Sequence, residues 1–369
     1  MGVRQTTDAW KLFRTMLDDM TAVIEEDSES DRETLEGLRG LGRATALALE
    51  LNFDVDADAP RFYSMSTPAR FVGGPNPDGE YYLSMIDGHR GYRIRGERGT
   101  SVYLGFQILA GTGLTPRRMA TYVSDRDLAI GSRGTFSFVM AAAEPTPAEL
   151  GGDPWVPIPE DSSSLVAREY FADREAEEPA RLWIEPLEPP TPPPPPTDDA
   201  IAVQFTSIAW TIAKLFTLHR TVKPELLEQP NEFLTADSTE LGSENTTPDN
   251  LYMIGSFRLA EDEALLIELT PPKTRYWSIT LENVWHECLE PRRRRSSVTN
   301  AGAVARPDGS VRFVIAGKDP GDENWLDTGG RTRGFMTFRW LDNPAPPTVQ
   351  TRVVPLAEAH DAAARSPVS

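Results

Sequence analysis

The sequence predicts an α+β protein, mainly β, built from two tandem antiparallel β-sandwich or jelly-roll-like units, each preceded by helix. Three observations lead there. A strand-rich block at 248–285 has a looser copy at 77–108, and the offset of about 170 persists along the chain. Short segments rich in Tyr, Phe, Val and Ile alternate with turns of Gly, Asp and Asn. The run PPTPPPPPT at 189–197 stands between the two halves.

The chain begins with helical periodicity. Over 8–25, Trp10, Phe13, Met16, Leu17, Met20 and Val23 recur at steps of three and four, with acids opposite. After a polar turn at 26–32, a second helix is expected over 33–51, giving a helical hairpin. Gly37, Gly40 and Gly42 mimic a nucleotide-binding glycine pattern, but the segment before them is helical, where that pattern needs a strand. Pro60 and Pro68 break the stretch 53–71. Strands follow at 80–86, 91–96, 101–109, 119–124, 134–141, 164–171 and 181–185, interrupted by a proline-rich stretch at 144–162.

Consecutive prolines hold polyproline II and cannot enter a sheet interior, so 189–197 reads as a semi-rigid spacer. A long helix is expected over 198–222, capped by Asp198 or Asp199, whose charges suit the helix dipole. Residues 200–218 are apolar enough to suggest a membrane span, but Lys214 sits well inside them, where a bilayer would penalise a charge. The helix reads instead as a core element. The later chain then repeats the earlier one. Residues 309–316 echo 134–141, Trp325 echoes Trp155, and Arg339 echoes Arg168. The expected division is 1–188 for the first unit, 189–197 for the linker, 198–358 for the second unit and 359–369 for a flexible tail.

Asp and Glu number 56 against 37 Lys and Arg, a net charge of -19. That field repels phosphate backbones and anionic membranes, which argues against nucleic acid and membrane partners. Cys288 is the single cysteine, so no intramolecular disulfide and no cysteine-rich metal site can form. Glu287 and Glu290 beside it would raise its thiol pKa. The four histidines are widely spaced, and no metal site is expected from them. The start MGVRQT lacks an apolar signal region, so a cytoplasmic protein is expected, although the short Met-Gly-x-x-x-Thr pattern fits myristoylation.

Candidate chemistry concentrates in the later copy, at residues the first copy does not match. His286 beside Glu287 could act as a base held in one tautomer, with Arg275 and Tyr276 completing a catalytic group. On a strand, however, His286 and Glu287 would face opposite sides. Trp285, Asn324, Arg292 and Arg293 are the ligand-binding candidates. The four arginines at 292–295 could clamp a phosphate, sulfate or carboxylate, or form a solvated loop. Asp319, Asp322 and Glu323 offer oxygen ligands for calcium but lack the EF-hand pattern, so a polar turn is expected.

The stretch DPGDENWLDTGGRTRGFMTFRWL at 319–341 resembles the closing signature of the domain-of-unknown-function 1214 family. The resemblance rests on Asn324-Trp325-Leu326, a glycine-containing turn, the strand-type run at 335–338 and Arg339-Trp340, with Tyr276-Trp277-Ser278 and 297–300 upstream. Leu341-Asp342 departs from the family's aromatic-Pro ending. The first half reads as a degenerate copy. The resemblance implies a jelly-roll-like sandwich in a bacterial-type protein and brings no reaction with it. The expected function is binding of a small carbohydrate or lipid-like ligand in a cleft. The alternatives are an enzyme acting on such a molecule and an assembly protein. Whether a cofactor is needed is left open, and a homo-oligomer is allowed.

Overall fold

In the computed structural model of the protein, residues 2–67, 69–111, 115, 117–236, 241–242 and 246–360 are described. They fall into two compact units. The first comprises Met1–Thr67, Gly79–Phe171 and Ala176–Thr217, and the second comprises Pro68–Asp78, Ala172–Glu175 and Leu218–Ser369. This division departs from the sequence expectation in two ways. The long helix after the proline run joins the first unit, and two segments of the first half join the second unit.

The first unit opens with α1 (Arg4–Asp27) and α2 (Asp31–Phe53). The strands β1 (Tyr63–Ser64), β2 (Gly79–Met85), β3 (Tyr92–Glu97), β4 (Tyr103–Ala110), β5 (Arg118–Ser124) and β6 (Thr135–Ala141) follow. Then come a short α3 (Pro147–Leu150), β7 (Trp155–Pro157), β8 (Ser162–Tyr170), β9 (Arg181–Pro186) and α4 (Asp198–Phe216). The strands pair in the orders β1-β2-β8-β4-β5 and β7-β6-β3-β9. Leu104, Phe106 and Leu165 of one sheet share a core with Ile94, Phe136 and Phe138 of the other, so the unit is a sandwich. The glycines of α2 lie inside the helix, two of them buried, which removes the nucleotide-loop reading.

Helix α4 buries Ala202, Ile208, Ala209, Ile212 and Phe216, and Phe205 packs its ring against Trp10, Phe13 and Phe53 of α1 and α2. No helix among the described residues is long and apolar enough to cross a membrane. The capping expectation is corrected. Thr197, not Asp198 or Asp199, caps α4 by accepting from the Ala200 N–H. Asp198 instead receives the Gln5 and Thr6 N–H groups at 3.0 and 2.9 Å, at the start of α1, which has no cap of its own. The backbone N–H of Thr6 holds the Asp198 carboxyl below its usual range, as expected at the positive end of a helix.

The second unit adds α5 (Glu225–Glu228), β10 (Phe233–Ala236), β11 (Asn250–Arg258), β12 (Glu263–Leu269), β13 (Trp277–Glu282) and β14 (Ser297–Thr299). It continues with β15 (Val311–Ala316), β16 (Trp325–Asp327), β17 (Arg333–Leu341), β18 (Gln350–Pro355) and α6 (Leu356–Ala359). The orders are β10-β11-β17-β13-β14 and β16-β15-β12-β18, the same two patterns as before. Its core sets Met253, Trp277, Ile279 and Phe338 against Leu265, Ile267, Phe313 and Ile315.

The pairing registers correspond between the two units at several positions. Arg168 pairs with Gly105 and Tyr81, and Arg339 pairs with Ser278 and Tyr252. Trp155 donates its indole N–H to Ala141 at 3.0 Å, and Trp325 to Ala316 at 3.1 Å. Each tryptophan sits on a short strand that runs parallel to its neighbour, while the remaining pairings are antiparallel. Residues 361–369, most of the expected tail, lie outside the described residues.

Candidate functional site: the polar face of the second sheet

Strand β13 reads Trp-Ser-Ile-Thr-Leu-Glu, and alternation sorts it. Trp277, Ile279 and Leu281 enter the core, which leaves Ser278, Thr280 and Glu282 on the opposite face. Register adds Arg339 and Thr337 from β17, and Ser297 and Thr299 from β14, to that same face. In the first unit the corresponding face carries Leu83, Leu109 and Val166, clustered with Leu51 of α2. Glu282 thus occupies the position that Leu109 holds in the first copy.

The polar face is not open to water. Ser278, Thr280, Glu282 and Arg339 are all buried. Segment 69–78 lies over it. Arg339 donates to the Gly74 carbonyl at 2.8 Å, Asn76 donates to the Tyr276 hydroxyl at 2.7 Å, and the Cys288 thiol contacts the Pro75 carbonyl at 3.2 Å. Thr299 also donates to the Ala172 carbonyl in segment 172–175.

At one end of this face, His286 Nδ1 lies 2.9 Å from Glu282 Oε2. The other carboxylate oxygen is 3.7 Å from Arg339, whose guanidinium also reaches Thr280 at 3.3 Å. The His286 ring stacks on Phe335 at 4.2 Å between centroids. Residues 284–286 form a turn rather than a strand, and His286 sits at φ 55. The left-handed region is uncommon for a residue with a Cβ, and it is held here by the His286 N–H to Asn283 bond and by the Gly74 N–H to His286 bond. A neutral His286 that donates from Nδ1 to Glu282 leaves Nε2 as an acceptor. Nε2 is buried and has no hydrogen-bond partner among the described residues.

At the other end, Ser297 donates to Asp78 at 2.6 Å. Asp78, Ser297 and Thr299 line a cavity of about 270 Å³, together with Asp173, Arg174, Arg295 and Ala172. Loss of hydration raises the Asp78 carboxyl above its ordinary value, against the opposing pull of Ser297 and of Arg174, Arg292 and Arg339. Between the two ends, burial pushes the Tyr276 phenol up, with Asp78 adding to it. Burial also raises the Cys288 thiol well above its usual value, and the Glu282 carboxylate contributes more to this than Glu287 does. A reactive thiolate is therefore disfavoured, as the sequence implied.

The expected site residues disperse around this face. His286 belongs to it, but its partner is Glu282, four residues earlier, and not Glu287. Glu287 is buried in the same turn, where its N–H bonds Asn283 Oδ1. Tyr276 is wholly buried beneath segment 69–78. Arg275 pairs with Asp342 at 3.1 Å. Trp285 is buried edge-on against His219. Arg292 and Arg293 are exposed in a turn, and of the four arginines it is Arg295 that lines the cavity. Asn324 clamps backbone, donating to Val304 and Arg312 and accepting from the Val304 N–H. Asp322 pairs with Arg312 and bonds the Asn324 N–H, which makes the acidic loop a structural turn. No cluster of metal-binding side chains occurs among the described residues. Sequence reasoning missed Asp78, Glu282, Arg339 and Arg174 as site residues. A usable signal existed in β13, whose non-core positions are all polar.

Comparison with known proteins follows this geometry. Residues 260–345 match a family described as Protein of unknown function (DUF1214). The fold is similar to that of an uncharacterised protein from Burkholderia cenocepacia, at 29% identity and a TM-score of 0.89, over 96% of this chain and 99% of that one. It also matches the VPA0106 protein from Vibrio parahaemolyticus at 12% identity and a TM-score of 0.49, over 85% and 97% of the chains. No curated protein sequence matches the chain.

Proposed function

This chain carries a domain of the unknown-function 1214 family at residues 260–345, and from its site we propose that the second unit binds a small acidic, hydroxylated molecule such as a sugar acid. One observation carries the reading. Two guanidinium groups, Arg174 and Arg295, and two hydroxyls, Ser297 and Thr299, converge on one cavity of about 270 Å³ with Asp78 and Asp173 in its wall. Guanidinium groups match a carboxylate, and the hydroxyls and Asp78 can exchange hydrogen bonds with ligand hydroxyls. The cavity is at the small end of ligand sites. Its polar lining favours the carbohydrate side of the sequence expectation over the lipid side.

Titration calorimetry with D-gluconate, and with D-glucose as the neutral control, tests the reading. Gluconate should bind, glucose should bind at least tenfold more weakly, and Arg174→Met and Arg295→Met should each weaken gluconate. Absence of gluconate binding at millimolar concentration would sink the proposal.

A second reading, an enzyme with its site at the other end of the polar face, rests on the buried His286–Glu282 pair, whose Nε2 has no hydrogen-bond partner among the described residues. On that reading, any small molecule that stays with the purified wild-type protein would be a reaction product. Mass spectrometry should then find its precursor in the His286→Asn variant. Finding the same molecule in both would remove the enzyme reading.

A further inference from the structure

Asp78 does not fit a simple anion pocket. A carboxylate in the wall repels an acidic ligand unless its charge is removed or matched. A second carboxylate, Asp173, lines the same cavity, and the cationic groups near Asp78 come from several elements. Arg174 comes from segment 172–175, Arg292 and Arg295 from the turn before β14, and Arg339 from β17. Ser297 donates to it from β14, while Tyr276 and Cys288 lie near enough to feel its charge. Arg174 has two duties here. It is a counter-ion for Asp78, and it lines the cavity where an anion would land.

Resting on the ligand-binding reading above, we propose that this pocket takes up its anion together with one proton, which Asp78 carries. The physical sequence is short. A ligand carboxylate that engages Arg174 draws that guanidinium's field away from Asp78. It also adds a further negative charge to a cavity already lined by Asp78 and Asp173. Both effects favour the neutral form of Asp78. A proton moves from solvent to an Asp78 carboxyl oxygen, no other bond forms or breaks, and the protein–ligand complex gains one positive charge relative to unlinked binding. The neutral carboxyl then offers an O–H donor where it had offered only acceptors. Loss of hydration, which already raises this carboxyl, works in the same direction.

The experiment measures D-gluconate affinity from pH 4.5 to 8 in Tris, bis-Tris and imidazole, whose ionisation enthalpies differ. Wild-type affinity should fall about tenfold per pH unit above the Asp78 titration. The heat should vary with buffer in proportion to nearly one proton taken up. Asp78→Asn should bind gluconate with no pH dependence and no proton uptake. Ser297→Ala removes a bond that favours the charged carboxyl, so its affinity should persist to higher pH than in wild type. This second variant keeps the test valid should Asp78→Asn misfold. Gluconate binding by wild type with a flat pH profile and no buffer dependence overturns the proton linkage and leaves the binding reading standing. No gluconate binding at any pH overturns both.

Discussion

The guanidinium of Arg339 donates to the main-chain carbonyl of Gly74, 2.8 Å away in space and 265 positions earlier in the chain. The same group is the counter-ion of Glu282. Removing it leaves a buried carboxylate facing a histidine, and it takes away one of the bonds that hold segment 69–78. Arg339→Met should therefore destabilise the second unit by about 3–5 kcal/mol, the usual result of breaking one side of a buried pair. Urea denaturation gives the number. Limited proteolysis should show new cleavage within 69–78, and an unchanged digest would contradict the role given to this bond.

His286 contributes both an unusual backbone and a partner for Glu282. His286→Ala keeps the strain at φ 55 and removes the partner, so it should cost about 3 kcal/mol or more. His286→Asn tolerates the left-handed conformation and can still donate to the carboxylate, so its loss should be clearly smaller. Thermal unfolding of the pair separates the two contributions. Equal losses would mean that the Glu282 contact is of little consequence.

Gly74 combines a φ of 66 with a close approach to Glu282, whose carboxylate would lie 3.3 Å from an added Cβ. Alanine there should cost about 1–2 kcal/mol from backbone conformation alone. Because the obstructing atom belongs to Glu282, Gly74→Ala and Glu282→Gln should not be additive. A double-mutant cycle measures the coupling, and strict additivity would place the two residues out of contact.

In the first unit, Glu169 is fully buried, accepting from Ser101 at 2.8 Å and from the Ala180 N–H at 2.9 Å. Desolvation outweighs these bonds and raises its carboxyl above the ordinary 4.5. The folded form then holds the proton more tightly than the unfolded form does. Stability from this group is largest in acid and declines as pH rises from 4.5 through the folded-state value. Glu169→Gln should flatten that decline, seen as a smaller drop in denaturation midpoint between pH 4.5 and 7. A steeper drop would reverse the assigned sign.

Much of the fold was legible because the repeat fixed it. Strands expected at 80–86, 119–124 and 134–141 form at Gly79–Met85, Arg118–Ser124 and Thr135–Ala141, since their alternation and turn residues agree. Helices α1 and α2 were legible from their apolar spacing. The assignment of α4 was not, because the residues that decide it, Phe205 against Trp10 and Phe53, read as apolar whichever unit they serve. The site was only partly legible. His286 stood out as a rare residue type, yet its partner is selected by a turn at 283–286 that a strand reading of the same residues hides. Asp78 looked like an ordinary Pro-Asp turn. Its role comes from Arg174 and Ser297, brought to it from distant parts of the sequence, and local pattern carries no trace of that.

The placement of segment 69–78 also sets an order of events during synthesis. Asn76 leaves the ribosome 200 residues before Tyr276, its hydrogen-bonding partner. At ordinary elongation rates that is on the order of ten to forty seconds. Throughout that interval the nascent chain holds a finished stretch that has nowhere to dock, and the strands β13 and β17 must emerge before it can. A ribosome paused in the first half displays this segment as an undocked loop. Docking of this segment is therefore a late step that waits for β13 and β17 to be made.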